Sequence, residues 1–208
     1  RSALSRALKG VAALAAVAMV TLGVAHYTKQ PASLTYSTPV GGQKTIVLAD
    51  GSRIELNTDT VLTIANEAPQ RSVTLEKGEA YFRIKHDADH PFTVMAAGRR
   101  ITDLGTVFTV HNSRSRAVVA LVEGSARVDA PSGLGKAQST VLMPGDVAVA
   151  TARTLSVTRT PIPELKTALS WRRGLPVFRH TTLAEAAADF NRYNLKKLVI
   201  EYAGTARL

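Results

Sequence analysis

The sequence predicts a mainly β fold, an antiparallel β-sandwich or a solenoid-like domain, preceded by one transmembrane helix and followed by a small, partial βαβ module. Three observations lead to this prediction. Short apolar runs recur at period two through the middle of the chain, separated by turns that contain glycine. An apolar segment without charged residues lies near the beginning, and a helical pattern with a capping box lies near the end.

The composition leaves room for a large core and narrows the possible chemistry. The chain has 208 residues, 45% of them apolar, and contains no cysteine, which excludes disulfides and cysteine nucleophiles. Lys and Arg number 26 against 16 Asp and Glu, a net charge of +10 that suits an anionic lipid surface, an acidic partner or nucleic acid. Aromatic residues are only 5% and the basic residues are scattered, so nucleic-acid binding is not predicted.

Residues 10–28 contain no Lys, Arg, Asp or Glu and are predicted to form a transmembrane helix. A bilayer core of about 30 Å requires about 20 helical residues. Residues 1–9 carry three positive charges and are therefore expected to be a cytoplasmic stub, with the rest of the chain across the membrane. A cleaved signal peptide and a buried core helix are the alternatives, and the signal peptide leads to the same location for the remaining chain.

After a linker at 29–44, residues 45–160 are predicted to form an all-β domain. Asp-Gly at 50–51, between two short β patterns, is typical of a hairpin turn. The motif Leu-x-x-Gly followed by a polar residue occurs four times, and each glycine permits the positive φ of a sharp corner. The four copies begin at Leu48, Leu75, Leu121 and Leu142. Further strand patterns lie at 73–84, 92–95, 107–110, 118–122, 126–128, 141–143 and 147–150.

Residues 161–208 are predicted to form a separate, partial α/β module. A short helix is expected at 164–171, and TLAE at 182–185 is a capping box that begins a second helix. Strand patterns at 175–178 and 197–202 flank that second helix, so the module is interpreted as strand–helix–strand. One apolar helix face is formed by Leu183, Ala186, Ala187 and Phe190.

No arrangement of residues indicates catalysis, and the chain is predicted to be no enzyme and to need no cofactor or metal. His86 and His90 would share a helix face, as zinc ligands can, but Pro91 disfavours helix at His90 and a polar loop is the better interpretation. Gly124 and Ser125 lack the second glycine of a nucleophile elbow.

Six motifs in order resemble the periplasmic domain of FecR-type sigma-factor regulators, the family of the iron-dicitrate sensor. They are LADGS at 48–52 with LN at 56–57, RSVTLEKGEAYF at 71–82, PFTV at 91–94, LGTVF at 104–108, VEG at 122–124 and LMPG at 142–145. The WRRG sequence at 171–174, with Phe178 and Leu183, is similar to the segment that follows this domain in the family.

The resemblance implies a signal relay. In this family the signalling domain of an outer-membrane TonB-dependent receptor contacts the periplasmic part of the regulator. The regulator crosses the inner membrane once, and its cytoplasmic N-terminal domain controls an extracytoplasmic-function sigma factor. That sigma-binding region is expected to precede Arg1, and the receptor-contact module is expected to continue past Leu208.

Receptor contact is predicted to lie between residues 171 and 208. An exposed edge strand there could pair with a strand of the receptor, and basic residues could attract an acidic surface. The alternatives are a module that binds envelope glycan or another anionic polymer, and an unusual β-barrel enzyme. The candidate contact residues are Trp171, Arg172, Arg173, Phe178 and Lys196, of which Arg172, Arg173 and Lys196 are expected to be exposed.

Overall fold

The structure is a computed structural model. It describes residues 33–65, 71–113, 116–129, 139–151, 153–174, 177 and 182–200. The predicted stub at 1–9 and the predicted membrane span at 10–28 lie outside these residues. Within the described part of the chain, every helix is too short or too polar to cross a bilayer.

Thirteen β-strands make up about half of the described residues and far outnumber the helical segments, so the predicted mainly β fold is confirmed. They join in one curled sheet, in which β5 connects the two halves. The strands are β1 (Ser33–Ser37), β2 (Lys44–Val47), β3 (Arg53–Leu56), β4 (Val61–Ala65), β5 (Ser72–Arg83), β6 (Thr93–Ala96), β7 (Arg99–Asp103), β8 (Val107–Ser113), β9 (Arg116–Glu123), β10 (Ala126–Val128), β11 (Thr140–Leu142), β12 (Asp146–Thr151) and β13 (Leu155–Arg159).

Strand order explains how one sheet encloses a core. The order along its main path is β11-β10-β7-β6-β5-β8-β9-β12-β13, with β4 and β3 also paired to β5. Within β5, residues 72–77 pair with β4 and β6, whereas residues 78–83 pair with β3 and β8. The inward side chains of both halves therefore meet in one core, where the ring centroids of Phe82 and of Phe92, which comes just before β6, lie 6.3 Å apart.

Gly78 is the corner at which β5 passes from one half of the sheet to the other. Its φ is +89°, and a Cβ atom at this position would lie 2.6 Å from Thr60 Cα. Glycine is required because a side chain would be strained and would collide with the neighbouring turn. The predicted positive φ is confirmed in all four Leu-x-x-Gly motifs, at Gly51, Gly78, Gly124 and Gly145.

Three expectations about the β elements are corrected. Residues 33–37, assigned to the linker, form β1 because they pair with β4 over five residues. The sheet is not wholly antiparallel, since β5 and β6 run parallel; the chain returns to β6 through the second half of β5 and the loop that follows it. β4, β7 and β13 were not predicted as strands.

Three helical segments follow the strands: α1 (Ile162–Ala168), a 3₁₀-helix (Leu169–Arg173) and α2 (Leu183–Tyr193). The capping box at the start of α2 is confirmed, because Thr182 Oγ1 accepts from Glu185 N at 3.3 Å and Glu185 Oε2 accepts from Thr182 N at 2.9 Å. Of the predicted apolar face of α2, Ala187 is buried, whereas Leu183 is 73% exposed.

The strand expected at 197–202 is absent over 197–200, and residues 201 and 202 lie outside the described chain. Asn191 explains this departure, since its Nδ2 donates to Leu198 O at 2.8 Å and its Oδ1 accepts from Leu198 N at 2.6 Å. These bonds hold the backbone against α2. The strand expected at 175–178 is described only at Val177, which is not in a strand.

Asp103 is a carboxylate enclosed at the end of β7. Burial raises its pKa to about 6, although the backbone N–H of Gly105 and the charges of Arg71 and His86 act in the opposite direction. Its side chain is 3% exposed and accepts a hydrogen bond from Thr106 Oγ1. The Asp103 carboxylate therefore binds a proton more tightly in the folded protein than in the unfolded chain.

A pH dependence of stability follows from the raised pKa. The folded state holds more protons than the unfolded state between pH 3.8 and about 6, so stability should fall as pH rises through this window. One pKa unit corresponds to about 1.4 kcal/mol, so the contribution of Asp103 to the free energy of unfolding is at most about 3 kcal/mol. Urea unfolding at several pH values should show a flatter profile for Asp103→Asn, while Asp89→Asn, at an exposed loop position, should retain the wild-type profile. Parallel profiles of stability against pH for wild type and Asp103→Asn would contradict this role of Asp103.

Candidate functional site

The outward face of the sheet is apolar where a solvent-facing surface would be polar. In β9, Val119 and Leu121 belong to the core, while Val118, Ala120 and Val122 point to the opposite face. A strand that is apolar on both faces requires cover on both. The helical segments from Ile162 to Tyr193 supply that cover.

Trp171 anchors the cover to the sheet. It is 4% exposed and packs in a second apolar cluster with Tyr81, Val107 and Val122. Its carbonyl oxygen accepts a hydrogen bond from Gln43 Nε2 at 2.7 Å. This predicted contact residue therefore lies inside the described domain. Contact between Trp171 and a partner protein stays a prediction.

Arg172 forms the first of two arginine clamps. Its Nε and Nη2 donate to the two carboxylate oxygens of Glu55 at 2.6 and 2.7 Å, and its guanidinium lies 3.5 Å from the centroid of the Tyr81 ring. The hydrogen bond to Glu55 raises the pKa of Arg172 despite partial burial. The expectation that Arg172 is exposed is wrong, since a bidentate pair with a carboxylate on β3 holds it against the sheet.

Arg192 forms the second clamp, at the end of α2. Its Nη2 donates to Glu79 Oε2 at 2.7 Å, and its carbonyl oxygen accepts from Thr58 Oγ1 at 3.0 Å. The neighbouring Tyr193 hydroxyl accepts from Asn57 Nδ2 at 2.7 Å. Burial opposes the charge on Arg192, but Glu79 outweighs it and the pKa of Arg192 is raised. Together the two clamps fix the helical cover in register with β3 and β5.

A cleft of about 590 Å³ separates the helical cover from the sheet beside these clamps. Its floor is the outward face of β8, β9 and β12, and its walls come from α1, the 3₁₀-helix and α2. His111 lies on the floor, where burial and the charge of Arg192 lower its pKa. This histidine is therefore neutral at pH 7.

Apolar side chains accumulate on the outer side of the C-terminal segment. Half of the large apolar side chains exposed in the described part of the chain lie between Val177 and Val199. Single exposed apolar residues are ordinary, but such a concentration indicates an interaction surface. We call five of them the C-terminal apolar set: Leu183, Phe190, Leu195, Leu198 and Val199, exposed by 73, 39, 82, 53 and 82%.

The other candidate contact residues have different outcomes. Arg173 and Lys196 are exposed, as expected; along the chain Arg173 precedes the C-terminal apolar set, and Lys196 lies within it, directly after Leu195. Phe178 lies outside the described residues. The role of Glu55, Tyr81 and Glu79 in holding the helical cover was not predicted, because nothing local in their strands marks a contact with arginines so remote in sequence.

The histidine cluster at 86–90 forms a loop, as interpreted from Pro91. Asp87 Oδ1 accepts from the backbone N–H of Asp89 and of His90, each at 3.1 Å. Across the ranges that the structure covers, no three His, Cys, Asp or Glu side chains are placed to hold a metal ion.

Comparison with known proteins supports the resemblance found in the sequence. The family model described as FecR protein matches residues 34–127. Two crystal structures of a candidate anti-sigma factor from Parabacteroides distasonis ATCC 8503, at 2.50 and 1.65 Å resolution, share the fold with a TM-score of 0.64 each. Their sequences are 22 and 23% identical, over 78 and 77% of this chain and 75 and 74% of theirs. A search of curated proteins found no match.

Proposed function

We propose that this chain, whose residues 34–127 match the FecR family model, regulates a sigma factor by protein–protein contact in the bacterial envelope. The family match supports a sigma-factor regulatory role. In the full proposal, residues 10–28 cross the inner membrane once with the N-terminus in the cytoplasm. The periplasmic part then receives a signal from the signalling domain of an outer-membrane TonB-dependent receptor and relays it to an extracytoplasmic-function sigma factor.

One observation supports protein contact through the C-terminal segment in particular. The FecR-type sheet holds α1, the 3₁₀-helix and α2 through two arginine clamps, Asn191 holds the backbone of Leu198 against α2, and the C-terminal apolar set is left exposed on α2 and the residues that follow it. Apolar anchors on a fixed backbone lose little conformational entropy when a partner binds. Such residues form the buried centre of protein interfaces, with polar residues at the rim.

The exposed basic residues indicate that the proposed partner surface is negatively charged. Arg173 and Lys196 are exposed, and within the described residues neither forms an ion pair. Basic residues around an apolar centre accelerate encounter with an acidic surface and contribute less to the final affinity. We therefore propose that the receptor's signalling domain presents an apolar patch with acidic residues at its rim.

The proposal predicts that Leu195→Glu/Val199→Glu uncouples the relay. Both side chains are 82% exposed, so the folded domain should tolerate the change, while two buried charges in the interface should weaken contact with the receptor about tenfold or more. The measurement is transcription from the sigma-dependent promoter after addition of the receptor's ligand, in cells that carry the whole gene.

Val47→Glu is the matched control, because Val47 is also exposed, at 63%, but lies on β2. It should leave the response at the wild-type level. A normal response in the double variant, at equal protein level in the membrane fraction, would rule out the C-terminal apolar set as the contact.

A further inference from the structure

We propose that the cleft between the helical cover and the sheet binds a small amphiphile that carries a protonated amine or a guanidinium on an apolar body. This proposal stands apart from the relay, because it concerns the inner side of the helical cover rather than its exposed outer side. Its basis is the size of the cleft, its apolar floor and the sign of its charge.

The floor of the cleft is apolar and built from small side chains. Thr109 and Val147 are both paired in register with Ala120, so these three residues form one row across β8, β9 and β12. Because none of them is large, the helices above leave a volume of about 590 Å³. Ligand pockets usually measure about 300–1,000 Å³ and are mostly apolar with a few polar groups.

The polar groups of the cleft are predominantly acidic. Among the described lining residues, Glu79, Glu164 and Asp189 face one cation, Arg192, and His111 is neutral at pH 7. The cleft therefore has a net charge of about −2 at neutral pH in a chain whose net charge is +10. An anionic ligand would meet unfavourable charges inside the cleft, whereas a cation would be stabilised there.

Two of these carboxylates are available to a ligand. Glu79 is engaged by Arg192 at 2.7 Å, but Asp189 Oδ1 lies 3.9 Å from the nearest arginine nitrogen, beyond hydrogen-bonding distance. Glu164 is exposed in the first turn of α1. A ligand ammonium group could therefore pair with Asp189 or Glu164 while its apolar body lies over the row of Thr109, Ala120 and Val147.

The chain provides its own reporter, since Trp171 is its single tryptophan and lines the cleft. The probe is phenylbutylamine, compared with phenylbutanol and phenylvalerate, which have the same apolar body and a neutral or negative head. Titration of the full chain should give a saturable change in tryptophan fluorescence with the amine. The affinity for the alcohol should be about tenfold lower, and the carboxylate should give no saturation.

Variants locate the response within the molecule. Ala120→Phe fills the floor and should abolish saturation. Glu164→Gln/Asp189→Asn removes the two available charges and should lower the affinity for the amine about five- to tenfold. Glu123→Gln, at an exposed carboxylate that does not line the cleft, is the matched control and should bind like wild type.

The outcomes separate a built site from general hydrophobic partition. Equal affinity for the amine and the carboxylate would overturn the proposal, as would unchanged binding in Glu164→Gln/Asp189→Asn. If Ala120→Phe does not fold, the charge variant decides alone, because both of its substitutions are at residues with little buried surface.

Discussion

Gly124→Ala is expected to destabilise the domain by about 4 kcal/mol, whereas Gly51→Ala should cost only about 1–2 kcal/mol. Both glycines end a Leu-x-x-Gly motif and have similar φ values, +79° and +86°. The backbone strain of an alanine is therefore comparable at the two positions. The two positions differ in the room available for a Cβ atom. A Cβ on Gly124 would collide with the carbonyl oxygen of Gly105 and lie 2.9 Å from Thr106 Cγ2, whereas a Cβ on Gly51 meets no atom within 4 Å.

Urea unfolding of both variants at one pH measures the difference directly. Gly105 follows β7 and Gly124 follows β9, and their turns are in contact. Neither backbone can therefore move away without loss of strand pairing. Equal destabilisation by the two alanines would mean that φ alone determines the cost. Close packing of the turns would then not explain why glycine occupies this corner.

Arg172→Ala is expected to detach the helical cover from the sheet and to cost about 3 kcal/mol. Two effects add: the cation–π contact with Tyr81 is lost, and Glu55, 16% exposed, is left without its ion-pair partner. The neighbouring Arg173 is exposed, so Arg173→Ala should leave stability near the wild-type value.

A double-mutant cycle with Glu55→Gln separates the ion pair from the ring contact, and the expected coupling energy is about 2 kcal/mol. Fluorescence gives a second readout, since release of the cover would expose Trp171 to water and shift its emission to longer wavelength. A coupling energy near zero, with unshifted emission in Arg172→Ala, would show that Trp171 and the Arg192 clamp hold the cover without Arg172.

Local signals in the sequence predicted most of the β-domain. Glycine at the four corners and the capping box at Thr182 act within a few residues, so their effects could be read directly from the chain. β1 was missed because its partner, β4, lies about 25 residues away, and because SLTYS alternates over only five residues with two apolar side chains. Strand pairing at such a distance is a property of the whole sheet.

The candidate site was less predictable for the same reason. Trp171 and Arg172 were singled out as contact residues, and Arg172 was expected to be exposed, but their partners, Tyr81 and Glu55, are near in space and remote in sequence. One signal was available. The run from Val118 to Val122 is apolar at every position, which indicates a strand covered on both faces and therefore a second layer over the sheet.

Binding between the full-length protein and the purified signalling domain of the receptor tests the central claim most directly. Wild type and Val47→Glu should bind with the same Kd, and Leu195→Glu/Val199→Glu should bind about tenfold more weakly or worse. Equal Kd values for all three proteins, or no binding by wild type, would contradict the proposal that the C-terminal apolar set receives the signal.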